Sequence, residues 1–257
     1  MSQTFRHPEI LDIARTNGKV TVDGLADHFG VTQQTIRRDL KDLTDEGKLE
    51  RVHGGAVLPS GTTNIKYEER RALNMREKSV MARACASRVP DNISLFVNLG
   101  TTTEAVAREL IHHRNLMLVT NNMRVANILI QNESCQIIMT GGSLRRSDGG
   151  LVGSIAEAAI LQFKFDLAII SCSALDQDGD ILDFDVQEVS VSRAIIRQSR
   201  KVILVADHTK FARSAPAKIA SLADVDIFVT DRTLPDPLLE ACARWKTDVV
   251  VASDGGA

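Results

Sequence analysis

Residues 32–40 read Thr32-Gln33-Gln34-Thr35-Ile36-Arg37-Arg38-Asp39-Leu40, and the fold of the first quarter of the chain turns on them. Gly30-Val31-Thr32 makes a tight turn, and Thr32 is placed to cap a helix whose first orphan N–H groups need a side-chain oxygen. Ile36, Leu40 and Leu43 then fall at i, i+4 and i+7, one apolar stripe running towards Gly47. At about 100° per residue, Gln34, Arg37, Arg38 and Lys41 land on the opposite side, with Gln33 flanking them. Arginine donates two bonds to guanine and glutamine pairs with adenine in a groove wide enough for a helix, so this face carries the chemistry of base readout.

Working outward, Ile10, Ile13 and Ala14 stripe a first helix that stops at Gly18. Val22, Leu25, Ala26 and Phe29 stripe a second that Thr21 can cap. Downstream, Lys48–Leu58 reads as a β hairpin, with Arg51, His53 and Gly54-Gly55 forming a wing against phosphates or a minor groove. Charge alone gives no support, because residues 1–58 hold eight Lys and Arg against nine Asp and Glu. A bland three-helix interaction module would show the same stripes. Placement favours nucleic acid: the cations gather on the third helix and its hairpin, whereas Asp12, Asp23 and Asp27 lie on the first two helices.

Beyond residue 58 the grammar changes. Val57–Met75 carries Pro59, Ser60 and Gly61, then a charged stretch from Lys66 to Arg76, the composition of a linker entering a connecting helix. From about Asn92, short β-rich apolar runs alternate with amphipathic helical stretches, the pattern of a mostly parallel α/β sheet. The expected organisation is therefore a winged helix-turn-helix over 1–58, a linker over 59–76 and an α/β sensor domain over 77–257.

The chain-wide numbers fit a folded protein: 257 residues, 44% hydrophobic and 25% charged, with a net charge of −2. No apolar run approaches a membrane span, and Met1–Arg6 has no signal-peptide core, so a cytoplasmic protein without a membrane partner is expected. Four cysteines, at 85, 135, 172 and 242, lack C-x-x-C spacing and argue for reduced, buried thiols. No dinucleotide fingerprint, Walker loop or H-E-x-x-H appears, so neither cofactor nor metal is expected.

In the second region, Leu95–Leu99 runs into Gly100-Thr101-Thr102-Thr103 and a helix start. Glycine lets backbone approach closely, the hydroxyls donate, and the helix N-terminus offers free N–H groups: an anion cradle. Threonine is equally an ordinary N-cap. Similar polar loops follow other apolar runs, at Thr120-Asn121-Asn122, at Gly141-Gly142 with Arg145, and at Asp207–Phe211. In a parallel sheet these strand ends converge on one edge.

Arg6-His7-Pro8-Glu9-Ile10, followed by the 32–40 stretch and the wing His53-Gly54-Gly55-Ala56, resembles the DeoR family of bacterial repressors, whose winged helix-turn-helix binds operator DNA. The resemblance runs from about residue 5 to residue 250 and implies a sensor domain similar to sugar-phosphate isomerases. It also implies a phosphorylated small sugar or polyol as effector. Leu144-Arg145, Asp148–Gly153, Leu182–Asp185 with Glu188, Arg193–Ile196 and Asp207–Phe211 point to members that answer to glycerol 3-phosphate. The chain departs from the pattern at Asn98, where the family commonly has Asp, and at Ser171 and Ala174, where it often has Gly. Asn98 removes a charge beside a prospective phosphate, and the other two narrow the site.

The expected DNA-contacting set is thus Thr32, Gln33, Gln34, Thr35, Arg37, Arg38, Lys41, Arg51 and His53, with Asp39 structural. The expected effector set is Asn98, Gly100, Thr101, Thr102, Thr103, Asn121, Gly142, Arg145, Glu188, Asp207 and Lys210. Asp183, Asp185, Glu188 and His208 could instead serve an isomerase, but an operator-reading helix has no use there. Another sugar-phosphate pathway is the nearer alternative. One recognition helix spans only a few base pairs, so a homodimer or homotetramer held by the α/β domains is expected on operator DNA.

Overall fold

A computed structural model describes residues 3–17, 19–46, 48–57 and 66–253. Gly18, Gly47, Leu58 and the linker stretch 59–65, all read above, lie outside the described residues. The chain opens with α1 (Gln3–Asn17), β1 (Lys19–Thr21), α2 (Val22–Phe29) and α3 (Gln33–Asp45), then the hairpin β2 (Glu50–Val52) and β3 (Gly55–Val57). The caps are those the sequence offers: the Thr21 hydroxyl accepts from Gly24 N–H at 3.1 Å, and the Thr32 hydroxyl from Thr35 N–H at 3.3 Å. Ile10, Ala14, Leu25, Ile36, Leu40 and Leu43 close one small core. The wing gains a strand that periodicity did not announce, because β1 pairs antiparallel with β3. Gly55 makes this possible: a Cβ there would lie 1.9 Å from the Val20 carbonyl oxygen.

Next come α4 (Tyr67–Ala72) and α5 (Met75–Ala86), then β4 (Ser94–Val97), α6 (Thr101–Glu109), β5 (Met117–Thr120), α7 (Met123–Leu129) and β6 (Gln136–Met139). The hairpin β7 (Ser143–Arg145) and β8 (Gly150–Val152) leads to α8 (Ser154–Ile160), β9 (Leu167–Ile170), β10 (Ala174–Leu175) and β11 (Asp180–Asp183). The chain ends with α9 (Val186–Gln198), β12 (Val202–Val205), β13 (Ala217–Ser221), β14 (Ile227–Thr230), α10 (Asp236–Trp245) and β15 (Asp248–Val251).

Seven parallel strands run in the order β15-β14-β12-β9-β4-β5-β6. Their residues are apolar on both faces because helices cover both. Leu95 and Val97 of β4 pack with α5, α6 and α7, while Phe96 between them packs with α8 and α9. From β4 the chain steps outward through β5 and β6, and then returns to β9 on the other side of β4. The carboxyl ends of β4 and β9 therefore flank a topological switch point, where an open α/β sheet leaves a crevice. The β7–β8 hairpin and the small sheet β10-β11-β13 are the excursions at that level. Cys85, Cys172 and Cys242 are buried and Cys135 half-buried, all unpaired; burial pushes the Cys85 and Cys172 thiols up to about 12.

Candidate functional site

Asp39 interrupts the exposed face of α3 and turns inward. It is 1% exposed and accepts from Arg6 through Nε at 2.7 Å and Nη2 at 3.1 Å. This bidentate pair ties α3 to α1 and leaves Gln33, Gln34, Arg37, Arg38 and Lys41 on an exposed face. Gln33 accepts from Arg37 Nη2 at 3.1 Å, which aligns the two side chains along the helix. Arg37 also meets the wing: with Arg51, His53 and Gly54 it lines a groove of about 260 Å³ between α3 and the hairpin turn. Thr32 and Thr35 sit at the helix start, their hydroxyls 3.0 Å apart.

At the switch point, Gly100 has φ 143° and ψ 148°, a conformation that only glycine adopts without strain, and Ser171 faces it across the crevice. Gly100, Thr101, Thr102, Ser171, Ser173, Asp183, Glu188 and Lys210 line one cavity, and Arg70 of α4 completes it. Its free volume is about 20 Å³, enough for about one water.

The two sides of the cavity are electrically unlike. On one side Lys210 lines it, and behind the wall Lys78 and Arg213 share with Lys210 the field of the Asp207 carboxylate. Among the described residues none of the three makes an ion pair, and Arg213 Nη1 is buried without a hydrogen-bond partner. Burial, then Lys210, pushes the Lys78 ammonium down to about 8; burial, then Arg213, does the same to Lys210. Asp207 stays below the usual carboxylate range: burial works against its charge, but Lys210 and the Thr209 hydroxyl outweigh it. On the other side Arg145 is gripped by Asp148 at 2.7 Å, Asp185 at 2.5 Å and Glu188 at 2.6 Å. Burial and the nearby Asp183 push Glu188 up to about 7, although Arg145 opposes them. Lys210 and Arg70 line this side with Lys78 and Arg213 behind them, a cationic setting that suits an anion such as a phosphate monoester; the Asp183 and Glu188 side suits hydroxyl groups.

Two family descriptions match this chain: a DeoR-like helix-turn-helix domain over residues 6–62 and a DeoR C terminal sensor domain over residues 73–232. The chain belongs to the DeoR family. Among DeoR-family relatives, the glycerol-3-phosphate regulon repressor of Escherichia coli (strain K12) is 43% identical over 240 residues, covering 93% of this chain and 95% of that protein. The repressor of the same name from Haemophilus influenzae is 41% identical over 253 residues, covering 98% of each. Ribose 5-phosphate isomerase A from Methanocaldococcus jannaschii, a solved structure, covers 52% of this chain and 53% of that one at 10% identity, with a TM-score of 0.38.

In this DeoR-family chain the effector set expected from sequence divides. Gly100, Thr101, Thr102, Glu188 and Lys210 line the cavity. Asn98 and Thr103 stand behind it: Asn98 donates to Ser192 and accepts from Leu99 N–H, and Thr103 donates to the carbonyls of Asn98 and Gly100. They shape the 98–103 loop from within. Asn121 is fully buried against the Leu151 carbonyl, and Gly142 packs on Val152 and Ala156. Arg145 reaches the cavity through Glu188 and, by way of Asp148, through Arg70; Asp207 reaches it through the cations beside it. His208 is held by Asp231 at 2.6 Å.

Sequence reasoning missed Lys78, Arg213 and Arg70. Lys78 left a signal: with Met81, Ala82 and Cys85 it falls at i, i+3, i+4 and i+7 on the buried stripe of α5, where an ammonium needs a reason. Arg70 lay in a stretch read as linker. The described part of that stretch, 66–76, instead packs on the sensor domain: Tyr67 is buried, donates to Glu104 at 2.8 Å and stacks beneath the Arg124 guanidinium.

Proposed function

We propose that this protein is a transcriptional repressor that reads operator DNA through α3 and the wing, and that glycerol 3-phosphate loosens its grip. Gln33, Gln34, Arg37, Arg38 and Lys41 meet base edges and neighbouring phosphates, while Arg51 and His53 anchor the flanking backbone. Thr32 and Thr35 serve at the helix start, where a free N–H can meet a phosphate. The effector's phosphate takes the cradle of Gly100, Thr101, Thr102 and Lys210, and its hydroxyls face Asp183 and Glu188. The observation that carries this reading is the cluster of Lys78, Lys210, Arg213 and Arg70 gathered at the switch point, in a chain whose other end exposes a readout helix.

The relatives' regulon names support glycerol 3-phosphate over other phosphorylated polyols. Two copies of α3 are needed for useful affinity, so the protein acts as a homodimer or homotetramer on inverted repeats. Calorimetric titration of the full chain with glycerol 3-phosphate and with glucose 6-phosphate tests the effector. Saturable heat with the first and none with the second is expected; the reverse redirects the assignment to another pathway.

A further inference from the structure

Tyr67–Glu104 and the Arg70–Asp148 ion pair at 3.4 Å anchor the start of the 66–78 segment on the sensor domain, and three further sets of contacts around its turn into α5 use groups beside the cation cluster. The Lys78 ammonium donates to the carbonyl oxygens of Arg70 and, at 2.7 Å, Leu73. The Thr101 hydroxyl donates to the same Arg70 carbonyl at 3.4 Å. Asn74, at the head of α5 in a left-handed conformation with φ 51°, does not cap its own helix. Its amide instead donates to Asp207 at 3.1 Å. The Arg70 carbonyl oxygen thus sits where an ammonium and a threonine hydroxyl converge, the donor pair a phosphate oxygen would use. With the segment down, the free volume of the cavity is about 20 Å³, room for about one water.

We propose that Lys78 is both the latch of the 66–78 segment and a direct ligand for the effector's phosphate, with the Arg70 carbonyl standing in for a phosphate oxygen until the effector displaces it. This inference rests on the cavity being the effector site. A charged phosphate oxygen outcompetes a neutral carbonyl for an ammonium, because charge-assisted hydrogen bonds are roughly twice as strong. Lys78 and Thr101 therefore transfer to the anion, and the Arg70 and Leu73 carbonyls lose the donors that pin the turn from α4 into α5. That segment leads back to the DNA-reading unit, so the effector's own contacts distinguish the two states, the condition for a ligand to shift an equilibrium.

Two variants of the full chain separate the roles by sign. Asn74→Ala removes a tie without touching the anion's ligands, so more molecules are open and glycerol 3-phosphate binds about two- to tenfold more tightly by calorimetry. Lys78→Met loosens the segment too, yet removes a charged ligand, so affinity falls about tenfold or more. A latch with no ligand role predicts that Lys78→Met tightens binding as Asn74→Ala does, and that outcome overturns the inference. Should Lys78→Met melt early, Lys78→Gln takes its place. Hydrogen exchange on the unmodified chain needs no variant: amides of 66–78 exchange faster with saturating glycerol 3-phosphate, and slower exchange refutes the proposal. If the unmodified chain binds neither glycerol 3-phosphate nor inorganic phosphate, the reading of the cavity fails and the inference with it. If it binds but the variants or exchange go the other way, the inference alone fails.

Discussion

Replacing Asp39 by Ala silences operator binding without touching the readout face. Arg6 is 6% exposed and Asp39 1%, and their two hydrogen bonds join α1 to α3. Removing one partner of such a pair strips the buried Arg6 guanidinium of its bidentate carboxylate, at a cost of about 3–5 kcal/mol. A unit the size of residues 6–57, at about 0.05–0.15 kcal/mol per residue, holds only about 3–8 kcal/mol in all. The substitution therefore removes most of the stability of the helix-turn-helix, a drop in its melting temperature of about 12 °C or more. In Arg6→Met/Asp39→Leu both charges are gone, and the cost falls to within about 1 kcal/mol of the parent. Differential scanning calorimetry of the full chain, with operator binding by fluorescence anisotropy, reads both. The reasoning is refuted if Asp39→Ala melts within about 3 °C of the parent, or if the double variant is no more stable than the single one.

Arg37→Ala or Arg38→Ala should cost about 1–3 kcal/mol of operator affinity and relax specificity at one base position, whereas Arg51→Ala should weaken all sequences alike and flatten the salt dependence; competition binding across single-base operator variants checks both. Thr101→Val should blunt release of DNA by glycerol 3-phosphate and, because the Thr101 hydroxyl also ties the Arg70 carbonyl, should lower basal operator affinity modestly; a gel shift with and without effector will report both. Effector affinity should also depend on pH. The Lys78 and Lys210 ammonium groups lie near 8 in the free protein, and a bound dianion raises them, so above the phosphate's second ionisation near pH 6 affinity is full up to about pH 8 and falls as pH climbs beyond it. Calorimetry at pH 8.5 in buffers of different ionisation heat should then show proton uptake on binding.

The readout helix was legible because its signals are local: the Thr32 cap, the stripe of Ile36, Leu40 and Leu43 and the opposed Gln and Arg side chains all lie within a dozen residues. The parallel sheet was legible from alternation, and the Gly100 turn from a residue type that its φ demands. The rest is tertiary. Nothing in the 66–76 stretch says that a run of charges closes over a cavity, since the groups that hold it, Thr101, Asp207 and Thr209, come from up to 135 positions away. For the same reason nothing local says that Asn98 binds Ser192 and the Leu99 N–H, or that the Asn121 amide donates to the Leu151 carbonyl. Polar residues at strand ends either face a ligand or build the loop that does, and only the packing around them decides which.

The coupling itself is tested most directly by titrating glycerol 3-phosphate into the full chain bound to an operator selected from random DNA, with anisotropy as the readout. The account predicts that saturating effector weakens operator binding about 5- to 150-fold, the span of an ordinary coupling energy. Operator affinity unchanged or strengthened by an effector that calorimetry shows to be bound would contradict it.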